Sequence, residues 1–246
     1  MSSEAIDPDN TSSPLVRIDY RARYHDLLRD HLPEKFRPFA PFFANTRRLE
    51  TMAGMLQRNF GGTGKAVLNA GCGPFASEIF VGALQHQQIE AFDYTPEFAA
   101  FFNIFRQEGL LADVRFFHAD AMTVSYPNAR FNLLVMHDLL YETALDLETM
   151  LARYIPFVAP GGLVYFDFMN ARLRTLWRLL GKEKQYRRYD PDEVRSLLAR
   201  HGLTVLEWQA VRSGSKGPSA GFHALLRALG TANAFAVMAR IEPEAS

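Results

Sequence analysis

"KAVLNAGCGPFASEIF", residues 65–80, reads as a strand, then two glycines one residue apart, then the start of a helix. A turn of this kind lets backbone approach a ligand closely, because glycine has no Cβ in the way. Gly71, Gly73 and Ala76 satisfy the loose G-x-G-x-x-G/A pattern, and Asp93 ends the next apolar run twenty residues after Gly73. On that basis alone a dinucleotide fits. Pro74, however, removes an N–H where a pyrophosphate would collect helix N-terminal donors. Asn69 adds a side-chain acceptor beside the turn, which suits a cationic ligand better.

Outward from the turn, strands and helices alternate. Strands are predicted at 66–69, 89–92, 114–118, 132–137 and 163–168, with helices near 76–86, 96–108 and 146–158. Parallel strands need helix-sized crossovers, so this order implies a parallel sheet covered on both faces. "APGG", 159–162, predicts a sharp turn into the fifth strand. "DPDEVRSLLARHG" predicts a helix with Pro191 in its first turn and Gly202 past its end. "LTVLEWQAV" and "NAFAVMARI" read as two further strands that pair antiparallel near a sheet edge, with a short helix near 219–229 between them. The fold class is therefore α/β, a doubly wound, seven-stranded, mostly parallel sheet with an antiparallel last strand.

Ahead of the sheet, residues 1–14 are polar and predicted to be disordered, and 15–62 form an N-terminal helical cap. Tyr20, Tyr24, Leu27 and Leu28 make one helical stripe, and Leu49, Met52, Met55 and Leu56 another. The main domain spans 63–246, with a possible acceptor-cover insertion at 170–189.

Lys+Arg and Asp+Glu both number 27, so no global charge points to nucleic acid. One cysteine, Cys72, excludes an internal disulfide and a thiolate metal cluster, and suits a reducing cytoplasm. The N-terminus lacks the basic and apolar regions of a signal or transit peptide, and no eighteen apolar residues run together. The expectation is a cytoplasmic protein, monomer or homodimer, without a membrane span. The seven histidines are scattered, and no metal motif stands out.

Five stretches, in order, resemble the class I S-adenosylmethionine-dependent methyltransferases. "VLNAGCGPF" is similar to that family's V-L-D-x-G-C-G-x-G turn, and "IEAFDYTPEFAAFF" to its second-strand motif. "VRFFHADAMTVSYPNARFNLLVMHDLLYE" resembles its third and fourth strands. "FVAPGGLVYFDF" resembles its turn into the fifth strand, and "YDPDEVRSLLARHGLTVLE" its next helix and sixth strand. The resemblance covers most of 40–246 and implies a Rossmann-like methyltransferase fold with S-adenosyl-L-methionine as cofactor. It implies cofactor contacts at Asn69, Ala70, Gly71 and Gly73. Asp93 would take the ribose hydroxyls, Tyr94 the adenine face, Asp120 the adenine amino group, Ala121 the ring through its backbone, and His137 the pocket wall. Two departures stand out. The usual acid is Asn69, so the charge facing the cofactor ammonium is missing, and the third glycine is Phe75, which is expected to crowd the loop or fold over the cofactor.

Substrate chemistry is sought in "MHDLLYE", 136–142, because ligands in open α/β sheets bind beyond the carboxyl ends of strands. His137, Asp138 and Tyr141 are the candidate catalytic residues. A neutral histidine near pH 7 can take a hydroxyl proton. The bland alternatives are that His137 only lines the pocket, Asp138 and Asp120 cap turns, Asp93 ends a strand, His118 is structural and Cys72 is packing. Residues 172–200 hold nine basic and four acidic side chains, and a peripheral lipid or anion contact through 172–180 is the alternative to a packed surface helix. The reading is methyl transfer to a small hydrophobic or aromatic metabolite on oxygen or nitrogen. A nicotinamide-dependent oxidoreductase and a non-catalytic binding protein on a methyltransferase fold are the rivals.

Overall fold

The computed structural model describes residues 15–179, 186–211, 221, 226 and 231–242. Strands β1 (Ala66–Ala70), β2 (Gln88–Asp93), β3 (Val114–His118), β4 (Phe131–Met136), β5 (Val158–Met169), β6 (Leu203–Ala210) and β7 (Ala234–Ile241) form one sheet, in the order β3-β2-β1-β4-β5-β7-β6. β1 pairs parallel with both β2 and β4, so the chain reverses its direction of travel across the sheet between β1 and β4. Such a reversal leaves a crevice at the strands' carboxyl ends. β7 is antiparallel to β5 and β6 and lies between them, rather than forming the edge itself.

The apolar runs of β1, β4 and β5 are buried because helices cover both faces. On one face lie α1 (Arg21–His31), the one-turn α2 (Ala40–Phe43), α3 (Leu49–Asn59), the short α4 (Ala76–Phe80) and α5 (Phe98–Gln107). Their contributions include Tyr24, Leu28, Met52, Met55, Leu56, Phe101 and Phe105, which pack in one cluster with Val67 and Val135. The N-terminal helices are therefore a layer of the main core as well as a cover. Each fully buried aliphatic or Phe side chain is worth about 1.5–3 kcal/mol relative to exposure. α3 is further tied to the sheet by Arg58, whose guanidinium donates to Glu207 at 3.0 and 2.6 Å.

The opposite face carries α6 (Leu147–Tyr154) and α8 (Pro191–Arg200), through Met150, Leu151, Val194 and Leu198. Asp146 caps α6 by accepting from Thr149 N–H at 3.1 Å, and Asp190 caps α8 by accepting from Asp192 N–H at 2.8 Å.

Two local expectations are revised. The helix expected over 76–86 stops at Phe80 and resumes as a single tighter turn over Gly82–Leu84. "APGG" does not precede β5 but bulges within it: Phe131 pairs with Val158, and Leu133 with Leu163. Gly162 is required there, since a Cβ would lie 2.6 Å from Val158 Cγ1 and 2.7 Å from the Ala159 carbonyl oxygen. In the basic segment, Arg172 is held by Asp190 and Asp192, Arg187 by Asp146 and Arg200 by Glu148, so these cations are engaged inside the molecule. α7 (Arg174–Leu179) follows Arg172. The disordered tail expected at 1–14, and most of the helix expected near 219–229, lie outside the described residues. No described helix is long and apolar enough to cross a membrane.

Candidate active site

A cavity of about 660 Å³ opens at the carboxyl ends of β1, β2 and β4, where the strand order reverses. The glycine turn forms one wall. Gly71 and Cys72 donate their N–H groups to the Phe92 carbonyl at 2.9 and 3.0 Å, binding the turn to the neighbouring strand. Asp93 Oδ2 accepts from Gly73 N–H at 3.0 Å, while Oδ1 accepts from Thr95 N–H at 2.9 Å. From the cap side, Tyr24 donates its hydroxyl to the Pro74 carbonyl at 2.8 Å. Gly71 and Gly73 have φ of 69° and 56°, a region costly for other residues. A Cβ on Gly73 would meet nothing within 4 Å. It would instead project where the backbone lies open.

Asp93 is almost fully buried, which pushes its carboxyl pKa up, against the opposing pull of the two backbone donors. It lines the cavity, and each oxygen retains lone-pair capacity for a further donor. Phe75 departs from expectation. It adopts the left-handed conformation that favours glycine, with φ of 61°, but its ring is fully buried. It packs 5.1 Å from Phe116 and 5.7 Å from Phe102, turned away from the cavity, so it neither crowds the turn nor covers a ligand. Core packing offsets the backbone strain.

Tyr94, His118, Asp120 and Ala121 line the cavity beyond Asp93. His118 Nε2 lies 2.7 Å from the Tyr94 carbonyl oxygen, and Asp120 Oδ1 accepts from Met122 N–H at 2.8 Å. Asp120 therefore caps its turn while still facing the cavity. The Ala121 carbonyl is fixed by the Tyr154 hydroxyl at 2.7 Å and by Arg153 Nε at 3.1 Å.

The far wall is a charged cluster after β4. His137 Nδ1 lies 3.0 Å from Asp167 Oδ2, and His137 Nε2 lies 3.3 Å from Asp138 Oδ2. Asp138, at φ of 55°, donates its backbone N–H to Asp167 Oδ1 at 2.8 Å. Its carboxylate pairs with Arg48, which comes from the N-terminal layer and lies over the Phe42 ring. Burial pulls the His137 pKa down, but Asp138 and Asp167 more than offset it, leaving the imidazole above its ordinary value. Burial lifts the Asp167 carboxyl, with the Asp138 charge adding to the effect and His137 opposing it. The His137, Asp138 and Asp167 ligand atoms lie within 4.8 Å of one another. With Arg48 and a protonated His137 the four groups form a balanced ion-pair network, in which the Asp138 charge is already matched.

Gly71, Gly73, Asp93, Tyr94, Asp120, Ala121, His137 and Asp138 thus meet around one cavity. Asn69 and Ala70 are buried behind its wall, and Tyr141 is not among the lining residues. Tyr141 packs 6.3 Å from Tyr186, and burial, together with the Asp167 and Asp138 charges, pushes its phenol well up. Sequence reasoning did not single out Arg48, Asp167 or Glu78. Asp167 had a signal, an acid within the apolar run "VYFDF", whereas nothing in the local sequence around Arg48 marks it.

No family model matches the chain. Curated relatives in Mycobacterium tuberculosis and Mycobacterium bovis, described as uncharacterized methyltransferases, are 40% identical over 70 residues, which is 28% of this chain and 35% of theirs. The match thus spans about a third of their length. Among solved structures, the geranyl diphosphate C-methyltransferase of Streptomyces coelicolor, in complex with Mg2+, geranyl diphosphate and S-adenosyl-L-homocysteine, superposes with a TM-score of 0.60 at 15% identity, covering 78% of each chain. The N-methyltransferase NodS of Bradyrhizobium japonicum, in complex with S-adenosylhomocysteine, gives 0.57 at 17%, covering 89% of this chain and 97% of that one. The [4+2]-cyclase SpnF gives 0.57 at 19%, covering 79% and 82%. The sheet order, the glycine turn at its reversal point and these superpositions establish one thing together: this chain has the fold of the S-adenosylmethionine-dependent methyltransferases.

Proposed function

We propose that the chain binds S-adenosylmethionine in the 660 Å³ cavity and transfers its methyl group to a small hydrophobic or aromatic acceptor at oxygen or nitrogen. The observation that carries this reading is the charge of the lining. Asp93, Asp120 and Glu142 line it as carboxylates without an ion-pair partner among the described residues, whereas Arg48 and His137 are taken up by Asp138 and Asp167. A diphosphate bridge would meet repulsion there and would find Pro74 in place of an N–H donor. An adenosine bearing an ammonium and a sulfonium suits the same surface. When bound, S-adenosylmethionine supplies a methyl carbon already attached to a good leaving group.

The residues then have distinct tasks. Gly71 and Gly73 give backbone access, Asp93 receives the ribose hydroxyls, and Tyr94, Asp120 and Ala121 hold the adenine. Phe36, Phe42 and Phe43 line the cavity from the N-terminal layer and form an apolar wall for the acceptor. That wall would exclude water and help to hold the acceptor beside the bound cofactor. For a hydroxyl acceptor, the neutral form of His137, present above its raised pKa, would take the proton at Nε2 while Asp167 beside Nδ1 fixes the ring. Asp138 and Tyr141 act by orienting this pair.

The fold alone does not choose an activity, since the similar SpnF is described as a cyclase. The discriminating experiment incubates the protein with S-adenosylmethionine carrying an isotopically labelled methyl and a pool of phenols, enols and amines. A labelled small-molecule product that disappears in His137→Ala or Asp167→Asn supports the reading. Tight cofactor binding without any labelled product favours the non-catalytic alternative.

A further inference from the structure

Asn69 leaves the glycine turn without the acid expected there, yet a carboxylate lies directly behind it. Glu78, in the first turn of α4, is only 3% exposed. Its Oε1 accepts from Asn69 Nδ2 at 2.6 Å, and its Oε2 accepts from Ser77 Oγ at 2.8 Å. Both donors are neutral. Among the described residues, no lysine or arginine forms an ion pair with it, and the His137 charge acts on it only weakly. A buried carboxylate without a cation is unfavourable. Burial accordingly lifts the Glu78 carboxyl, with the Asn69 and Ser77 donors pulling the other way.

A second, independent observation lies beside it. The Asn69 amide commits its NH₂ to Ser77 and Glu78, while its oxygen, also buried, accepts no hydrogen bond. The site is thus short of a positive charge for Glu78 and of an N–H donor for Asn69 Oδ1. A primary ammonium supplies both. Ser77, bonded to Asn69 and Glu78, lines the cavity next to Gly71 and Gly73, which places this pair immediately behind the surface a ligand would touch.

We propose that Glu78 is the anionic anchor for the ammonium end of the cofactor, acting through Asn69 and Ser77 and taking over the charge that position 69 lacks. This rests on the methyl-transfer reading above and assigns the binding of the amino-acid tail. Glu78 is a positioning residue, since it stands one layer behind the wall. A carboxylate there acts through a low-dielectric interior, where its attraction is weakly screened.

The alternative is that Glu78 only braces α4. The two roles respond oppositely to Glu78→Gln. Glutamine preserves the shape, and its amide can pair with Asn69 once that side chain flips, because Asn offers both a donor and an acceptor. If Glu78 is an anchor, the ligand-free variant melts no lower than the parent, since an unmatched charge has gone. Calorimetry then shows S-adenosylhomocysteine, which carries the ammonium, binding at least tenfold more weakly. 5′-Methylthioadenosine, which lacks the amino-acid tail, binds within twofold of the parent. The charge-swapped pair Asn69→Asp with Glu78→Gln recovers most of the S-adenosylhomocysteine affinity, and it decides the matter even if Glu78→Gln alone folds poorly. Equal losses for both ligands, no loss for S-adenosylhomocysteine, or no recovery in the charge-swapped pair overturns the proposal. A parent protein that binds neither compound overturns the methyl-transfer reading itself, and this inference with it.

Discussion

Arg48 and Asp138 join the N-terminal layer to the carboxyl end of β4. They form an ion pair at the cavity wall, with both side chains largely buried and the guanidinium carbon 3.2 Å from the centroid of the Phe42 ring. Removing Arg48 leaves a partly buried carboxylate next to His137 without its partner. Arg48→Ala should destabilise the fold by about 1–3 kcal/mol, the usual cost of an unmatched buried polar group. Chemical denaturation measures this. Arg48→Lys should recover part of the loss, because it retains the charge but not the planar fork.

His137 carries a titration whose sign is fixed by its neighbours. Its folded pKa is raised by Asp138 and Asp167 despite burial. The imidazolium form therefore stabilises the fold fully below the unfolded value of about 6.5, and that contribution is lost as pH rises through the higher folded value. NMR titration of the ring should give a pKa above about 6.5. Asp167→Asn should lower it. If His137 is the base, the rising limb of the rate profile moves to lower pH in the same variant. An unchanged ring pKa in Asp167→Asn would show that Asp167 does not act on His137.

Gly73 and Phe75 share the left-handed backbone region but should respond differently to substitution. Gly73→Val has room in the ligand-free protein, where a Cβ meets nothing within 4 Å. It should fold, with a strain cost of about 1–2 kcal/mol, and lose cofactor affinity by tenfold or more because its side chain enters the ligand's space. Phe75→Ala empties a fully buried site between Phe102 and Phe116 and should cost about 3–5 kcal/mol of stability. Its effect on cofactor affinity should be small. Denaturation and calorimetry on both variants separate the two outcomes.

Asp93→Ala should act on the turn and the ligand together. It removes the acceptor that holds Gly73 N–H and Thr95 N–H, as well as the ribose contact. Calorimetry with S-adenosylhomocysteine should show a loss of at least about 1.4 kcal/mol, one factor of ten. Undiminished affinity would mean the ribose lies elsewhere.

The sheet was legible in the sequence because its strands are short apolar runs separated by helix-length connections. Six of the seven strands lie within a residue of their predicted ends, whereas β5 starts five residues early and takes in "APGG". The Gly71–Gly73 turn and Asp93 were legible because chain geometry fixes them locally. The illegible part depends on contacts between distant segments. Arg48 reaches Asp138 across ninety positions of sequence, and no periodicity records that pairing. Glu78 lies nine residues from Asn69, but its role comes from burial, which a five-residue helix does not announce. Phe75 misled for a related reason. A glycine position in a motif suggests proximity to ligand, whereas the aromatic cluster around α5 and β3 draws this ring inward.

Thermal melting with each class of compound shows whether the cavity prefers a cationic adenosine to a diphosphate-bridged one. At a hundredfold excess over its dissociation constant a ligand stabilises by about 2.7 kcal/mol, which is several degrees for a chain of this size. A clear upward shift is expected with S-adenosylmethionine and S-adenosylhomocysteine and none with NAD⁺ or NADH. A shift with the nicotinamide compounds alone would contradict it.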